Sequence, residues 1–171
     1  MKYSKIYLLI LISVFLSCVK YSFKGALPSY LQTIYIGEFQ NQTQYPQVME
    51  KLNQKTTEAF IKDNSLRVID DRNSADLVLE GVVVSIQKKP VSITIGGDTQ
   101  RLRENVQEFH MVVTVKAECM NKHTQKPLWS SSLSRYGVIS GNALGDEIDL
   151  AIDDAIDQLV EDILTKTIAA W

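Results

Sequence analysis

The stretch from Leu77 to Ile86, Leu-Val-Leu-Glu-Gly-Val-Val-Val-Ser-Ile, constrains this chain more than any other. It is apolar at both odd and even positions, so as a β-strand it has little face to give to water for much of its length. Such a strand belongs in the middle of a sheet, and the remaining chain must supply its neighbours and its cover. Residues 104–118 supply one neighbour. Phe109, Met111, Val113, Val115 and Ala117 fall on one side, with Glu108, His110, Thr114, Lys116 and Glu118 on the other. Asn121 to Pro127 reads as a polar turn, and Leu128 to Tyr136 as a third strand in which serines alternate with Trp129 and Leu133.

Two amphipathic segments supply the cover. After a strand over Gln32–Phe39 and the polar break Asn41-Gln42-Thr43-Gln44, Pro46 suits the first turn of a helix. Val48, Leu52, Thr56, Ala59 and Phe60 recur at helical spacing to about Asp63. Gly145-Asp146-Glu147 places acids where a helix dipole favours them, and Ile148, Ile152, Ala155, Ile156, Leu159, Ile163 and Leu164 line one face beyond. Leu66, Val68 and Ile69 suggest a short strand before the Asp70–Ser74 turn. The order strand, helix, strand, three-strand meander, helix predicts an α+β domain with two amphipathic helices packed on a mostly antiparallel sheet. Its 171 residues, 45% apolar and 22% charged, suit a single globular domain.

The amino terminus has a separate logic. Lys2 and Lys5 precede an apolar run from Ile6 to Leu16, which falls short of the roughly 20 residues a membrane helix needs. It reads as a signal peptide, residues 1–17, and Phe15-Leu16-Ser17-Cys18 resembles a lipobox, with Cys18 as the lipidated residue. Diacylglycerol and palmitate-type N-acylation at Cys18 would anchor the protein to a membrane without spanning it. Residues 18–31, with Gly25 and Pro28, form a tether, and 32–171 the single domain. Without Lys2 and Lys5 the mature chain carries 16 basic and 20 acidic residues, which gives no case for nucleic acid as a partner.

Chemistry is sparse. With Cys18 lipidated, Cys119 is the only remaining cysteine, so no intrachain disulfide is available. Cys119 shares the inward parity of its strand and His110 the outward one, while His123 lies in a turn, so the three make no metal site. There is no nucleophile elbow, phosphate loop or zinc signature, and Gly96-Gly97-Asp98 reads as a loop tip. Asp149, Asp153, Asp154, Asp157, Glu161 and Asp162 lie opposite the Ile/Leu stripe of the last helix, as a solvated face. No catalytic residues, no metal and no cofactor are expected. Two basic groups stand out, at opposite ends of the meander. Lys88 and Lys89 enter the 88–103 connection and Arg101 and Arg103 leave it, whereas Lys122, His123 and Lys126 share the next turn. Val91, Ile93, Ile95 and Leu102 give the first group apolar company, a mixture suited to an amphiphile carrying phosphates.

Several segments, taken in order, resemble a family. Cys18 is followed by Tyr21-Ser22-Phe23-Lys24-Gly25 and by Leu27-Pro28, then by Thr33-Ile34-Tyr35-Ile36-Gly37-Glu38-Phe39 and Asn41-Gln42-Thr43. Further on come Ala75-Asp76-Leu77-Val78-Leu79-Glu80-Gly81 and Lys126-Pro127-Leu128-Trp129. The series looks like the LptE-type lipopolysaccharide-assembly lipoproteins, across nearly the whole mature chain. The resemblance implies a four-stranded sheet under two helices, in a periplasm-facing outer-membrane lipoprotein. Such a protein plugs the LptD-type β-barrel and helps to deliver lipopolysaccharide to the outer leaflet. It further implies lipopolysaccharide binding by basic residues near a sheet end, here Lys88, Lys89, Arg101 and Arg103. Arg67-Val68-Ile69-Asp70 followed by Ala75 to Gly81 also resembles TolB amino-terminal and curli-assembly-type lipoproteins, which implies an envelope scaffold without lipopolysaccharide.

Overall fold

The computed structural model describes residues 27–91 and 108–170. β1 (Thr33–Ile36) and β2 (Gln40–Asn41) lead into α1 (Gln47–Asp63), β3 (Arg67–Val68) and the long strands β4 (Leu77–Val91), β5 (Glu108–Asn121) and β6 (Lys126–Ser140). α2 (Gly145–Ile168) closes the fold. The sheet runs β3-β1-β4-β5-β6, with β2 beside β4 farther along the edge that β1 begins.

This corrects the expected four-stranded, mostly antiparallel sheet: there are six strands, and four of them take part in parallel pairs. β1 is parallel to both β3 and β4, and β2 is parallel to β4; only β4-β5-β6 is an antiparallel meander. The cause is the crossover. α1 carries the chain back to the end from which β1 started, so β3 must run beside β1 in the same direction. The expected first strand is also split in two. The chain leaves the ladder after Gly37, whose N–H reaches the Leu79 carbonyl (2.8 Å), and rejoins it at Gln40. In between, Phe39 turns inward and is fully buried, its N–H held by Asn53 Oδ1 at 2.9 Å. The ring lies over Gly81, where a Cβ would approach Phe39 Cε1 to 2.5 Å.

α1 buries Val48, Leu52, Thr56 and Phe60, a stripe at four-residue spacing. It ends at Asn64, which takes the left-handed conformation (φ 57°) and donates its N–H to the Phe60 carbonyl (3.1 Å). α2 runs back along β6 and buries Ala151, Ile152, Ala155, Ile156, Leu159, Val160 and Ile163 against the inward-facing residues of β5 and β6. At Gly137 the two backbones nearly touch, since a Cβ there would lie 2.1 Å from the Ala151 carbonyl oxygen. Only glycine admits that approach.

The run that opened the analysis is buried on both sides only at its start, Leu77–Leu79. A bulge between Val83 and Ser85 then shifts the register by one residue. Leu77, Leu79 and Val83 before it, and Ile86 after it, all face the helices despite their different parity, while Val82 and Val84 are half-buried on the open face. Much of the apparent two-sided apolarity is therefore a bulge.

The last organising element is polar. Asp76, just before β4, accepts through Oδ2 from the N–H groups of Gln32 (3.0 Å) and Thr33 (2.9 Å) and from the Thr33 hydroxyl (2.7 Å). Its Oδ1 meets His123 Nε2 at 2.8 Å, and its carbonyl takes the Lys122 N–H. Partial burial pushes its pKa up, but the bonds from Gln32, Thr33 and His123 outweigh this and hold the carboxyl at about 2.

Two stability predictions follow from these contacts. Gly137→Ala forces α2 away from β6 and should cost about 1–3 kcal/mol in urea unfolding; Gly145→Ala, which meets nothing within 4 Å, should change little. Asp76→Ala leaves donors unpaired and should cost about 1–3 kcal/mol at neutral pH. A carboxyl with a depressed pKa stabilises above its unfolded value and stops doing so as pH falls through its folded value. The gap between wild type and Asp76→Ala should therefore close between about pH 4 and pH 2, read as unfolding midpoints against pH.

Candidate functional site

The end of the sheet where β4 and β5 open into residues 92–107 carries the basic group. Lys88 and Lys89 are adjacent and exposed, but strand alternation sends them to opposite faces. Lys88 pairs in register with Met111 on the helix side, and its Nζ lies 4.2 Å from the centre of the Phe109 ring. Lys89 pairs with His110, which pairs in turn with Val138, on the open side. There the His110 ring stacks on Tyr136, with centroids 3.7 Å apart and planes 11° from parallel. His110 Nε2 also lies 3.5 Å from Glu108 Oε1. Each lysine thus stands beside an aromatic ring on its own face. Arg101 and Arg103, with Ile93, Ile95 and Leu102, lie outside the described residues, as does Cys18.

Phe109, His110 and Tyr136 were not singled out in the sequence as site residues. Each alternation was visible, but that Tyr136 meets His110 depends on the β5–β6 register, which places Tyr136 opposite Val112, diagonally across from His110.

The second basic group lies at the far end, in the turn between β5 and β6, and is largely consumed by the fold. His123 is bound to Asp76 and sits edge-on to Tyr30 (5.4 Å between centroids). Lys122 Nζ reaches the Arg72 carbonyl at 3.3 Å. Lys126 belongs to β6 rather than to the turn, and is exposed. An anion arriving there would have to displace these partners.

Three of the six acids of α2 expected on a solvated face are instead held in ion pairs. Asp153 bridges Lys51 (3.2 Å) and Lys55 (3.1 Å) on α1, Asp157 meets Lys55 at 2.6 Å, and Asp162 meets Arg135 of β6 at 2.8 Å. Burial lowers the pKa of Lys55, but its bonds to Asp157 and Asp153 leave it raised overall; burial raises that of Asp153, and the two lysines leave it lowered. The pairs with Lys51 and Lys55 tie α2 to α1 and the pair with Arg135 ties it to β6, a role invisible until these elements are placed side by side.

Cys119 is fully buried, and burial first, then the Glu118 charge, pushes its thiol up to about 12. At neutral pH it remains a thiol, the wrong form for a nucleophile or a metal ligand. Among the described residues no three His, Cys, Asp or Glu side chains gather as a metal site, and no helix is long and apolar enough to cross a membrane. What the site offers is cation and aromatic surface, suited to binding rather than bond-making.

Comparison with known proteins bears on what is bound. The fold is similar to that of a protein from Xanthomonas campestris, with a TM-score of 0.61 at 11% identity over 85% of this chain and 89% of that one. It is also similar to PelC, a dodecamer from Paraburkholderia phytofirmans (TM-score 0.53, 15% identity, 84% and 91% covered). A minor lipoprotein from Acinetobacter baumannii gives a TM-score of 0.50 at 12% identity, with 82% and 94% covered. At such identities these likenesses speak for the fold alone. No curated protein matches the chain in sequence. The model of the LptE lipopolysaccharide-assembly family, however, matches residues 31–167, from the buried Leu31 to the buried Thr167 of α2. The chain belongs to the LptE lipopolysaccharide-assembly family.

Proposed function

We propose that this protein is a non-catalytic outer-membrane lipoprotein that plugs and stabilises an LptD-type β-barrel and helps to deliver lipopolysaccharide to the outer leaflet. Cleavage after residue 17 frees Cys18 for lipidation, and residues 18–31 tether the domain to the periplasmic side of the membrane. The family match over almost the whole domain carries this reading, and favours it over the TolB amino-terminal or curli-assembly scaffold.

The basic sheet end supports the lipid part. Lipopolysaccharide presents phosphates on a sugar headgroup above acyl chains. Lys88 and Lys89 with Arg101 and Arg103 supply cations for the phosphates. The stacked His110 and Tyr136 present an aromatic surface next to Lys89, and the apolar residues of 92–107 accompany the arginines in sequence. A domain braced by a buried core and interhelix ion pairs can fill a lumen without deforming. None of the tasks requires a catalytic group.

Purification from detergent-solubilised envelopes should bring down a large β-barrel protein in near-stoichiometric amount. Recovery of the lipoprotein alone, or with secretion components, would count against the plug. Replacing Lys88, Lys89, Arg101 and Arg103 together by Glu should weaken lipopolysaccharide binding about tenfold or more, four exposed ion pairs being worth about 0.2–1 kcal/mol each. The thermal midpoint should hardly move, and unchanged binding would remove these residues from the site. Cys18→Ser should move the protein, made without its barrel, from the membrane to the soluble fraction.

A further inference from the structure

β6 is an end strand. β5 pairs with one side of it from Lys126 to Ser140, and among the described residues no strand pairs with the other. The Tyr136 carbonyl accepts from Gln158 Nε2 (3.0 Å) and the Ser134 carbonyl from the Arg135 guanidinium (3.3 Å), so both point away from β5. By strand alternation the even-numbered residues from 130 to 140 turn their N–H and C=O groups outward. Exposed edges are usually blunted by charge, proline or brevity. This one is 15 residues long, its Pro127 lies at the far end, and its outward-turned residues are serines, Tyr136 and Val138.

The edge has a groove beside it. Tyr136, Gly137 and Val138 form one wall, and Asp154, Asp157 and Gln158 of α2 the other, around about 460 Å³. Of the six large apolar residues exposed among those described, four (Tyr136, Val138, Leu144 and Leu150) belong to this β6–α2 corner. Clustered exposure of that kind marks an interaction surface.

We propose that the free edge of β6 takes up an extended segment of a partner protein in which apolar and basic side chains alternate. An added strand sends successive side chains to opposite faces. Those on the open face lie beside Tyr136 and Val138, which calls for apolar residues. Those on the helix side pass over Gly137, which has no side chain, and come up against Asp154, whose carboxylate has no partner among the described residues, beside the Lys55-bound Asp157; this calls for basic ones. Gln158 holds the Tyr136 carbonyl until the incoming N–H replaces it. Charge also selects against a second copy of this chain. Pairing two β6 edges about a two-fold axis keeps both copies of α2 on the same side of the joined sheet and turns their Asp154, Asp157 and Glu161 flanks toward each other. The surface shares Tyr136 with the basic sheet end but uses none of its cations and not the lipid anchor, so it stands whether or not lipopolysaccharide is the cargo.

The test uses the full lipidated chain in detergent and a fluorescent hexapeptide of alternating valine and lysine, with an alternating valine–glutamate peptide as control. The lysine peptide should bind saturably and about tenfold more tightly than the control at low salt, complementary charge being the discriminator. Hydrogen exchange should slow at the Ser134, Tyr136 and Val138 amides, which point outward, and stay as it was at Leu133, Arg135 and Gly137. Val138→Pro removes an outward N–H without touching the β5 ladder and should abolish binding. Asp154→Lys, at an exposed position, should weaken it about fivefold with the thermal midpoint unchanged, and decides the matter if the proline variant does not fold. Four results would overturn the proposal: no binding, equal binding of both peptides, binding without edge protection, or full binding by either variant. Protection of the same amides that grows with protein concentration in the absence of peptide would also overturn it, by making the occupant a second copy.

Discussion

β1 and β4 form the seam at which a parallel half-sheet meets an antiparallel meander, and the Asp76 carboxylate holds that seam. The β1–β4 ladder is short: only Ile34–Ile36 pair with Leu77–Leu79, whereas β4 pairs with β5 from Leu77 to Val91. Parallel pairing is also slightly weaker per residue. A few ladder bonds would leave β1 poorly fixed, and with it β3, which touches the sheet only through β1. Asp76 compensates by accepting from the start of β1 and from the β5–β6 turn at once. α1 packs on β1 and β3 as well as on α2, so part of its support depends on β1 staying there.

The helices and the long strands could be read from the chain because their signals are local. Val48, Leu52, Thr56 and Phe60 repeat at helical spacing, and Met111, Val113, Val115 and Ala117 alternate, whatever their neighbours are. Strands at Gln32–Phe39 and around Leu66–Ile69 were expected, but their parallel pairing was not legible, for the opposite reason. β2 and β3 are two residues each and exist only as partners of β4 and β1. The bulge after Val83 even imitates a different signal, because three successive valines on a bulged strand look like a strand buried on both faces. The site divides in the same way. Lys88 and Lys89 stood out as a basic pair at a strand end, whereas their aromatic companions needed the β4–β5–β6 register to be recognised.

Charge is distributed with a consistent sense. Lys122 and His123 at the β5–β6 turn are drawn into hydrogen bonds that stabilise the domain, whereas Lys88 and Lys89 at the other end of the sheet are left exposed. Along α2 the balance reverses: the helix carries eight acidic residues and one lysine. Lys51, Lys55 and Arg135 neutralise part of that charge on the sides facing α1 and β6. Asp154 and Glu161 receive no such partner among the described residues.

An anionic amphiphile approaching this domain therefore meets attraction at one end of the sheet and repulsion along the α2 flank, and exposed charges act over roughly 10 Å at ordinary salt. The acidic flank confines such a ligand to the lysine end and keeps it off the free β6 edge. The same carboxylates that turn away phosphates draw in basic side chains of a protein. The function proposed above sets the domain between a barrel and a lipid cargo, and a domain so placed has to keep those two partners apart on a small surface. Opposite charge on neighbouring faces does so without moving parts, which suits a fold whose helices are pinned by ion pairs and whose last helix lies against Gly137.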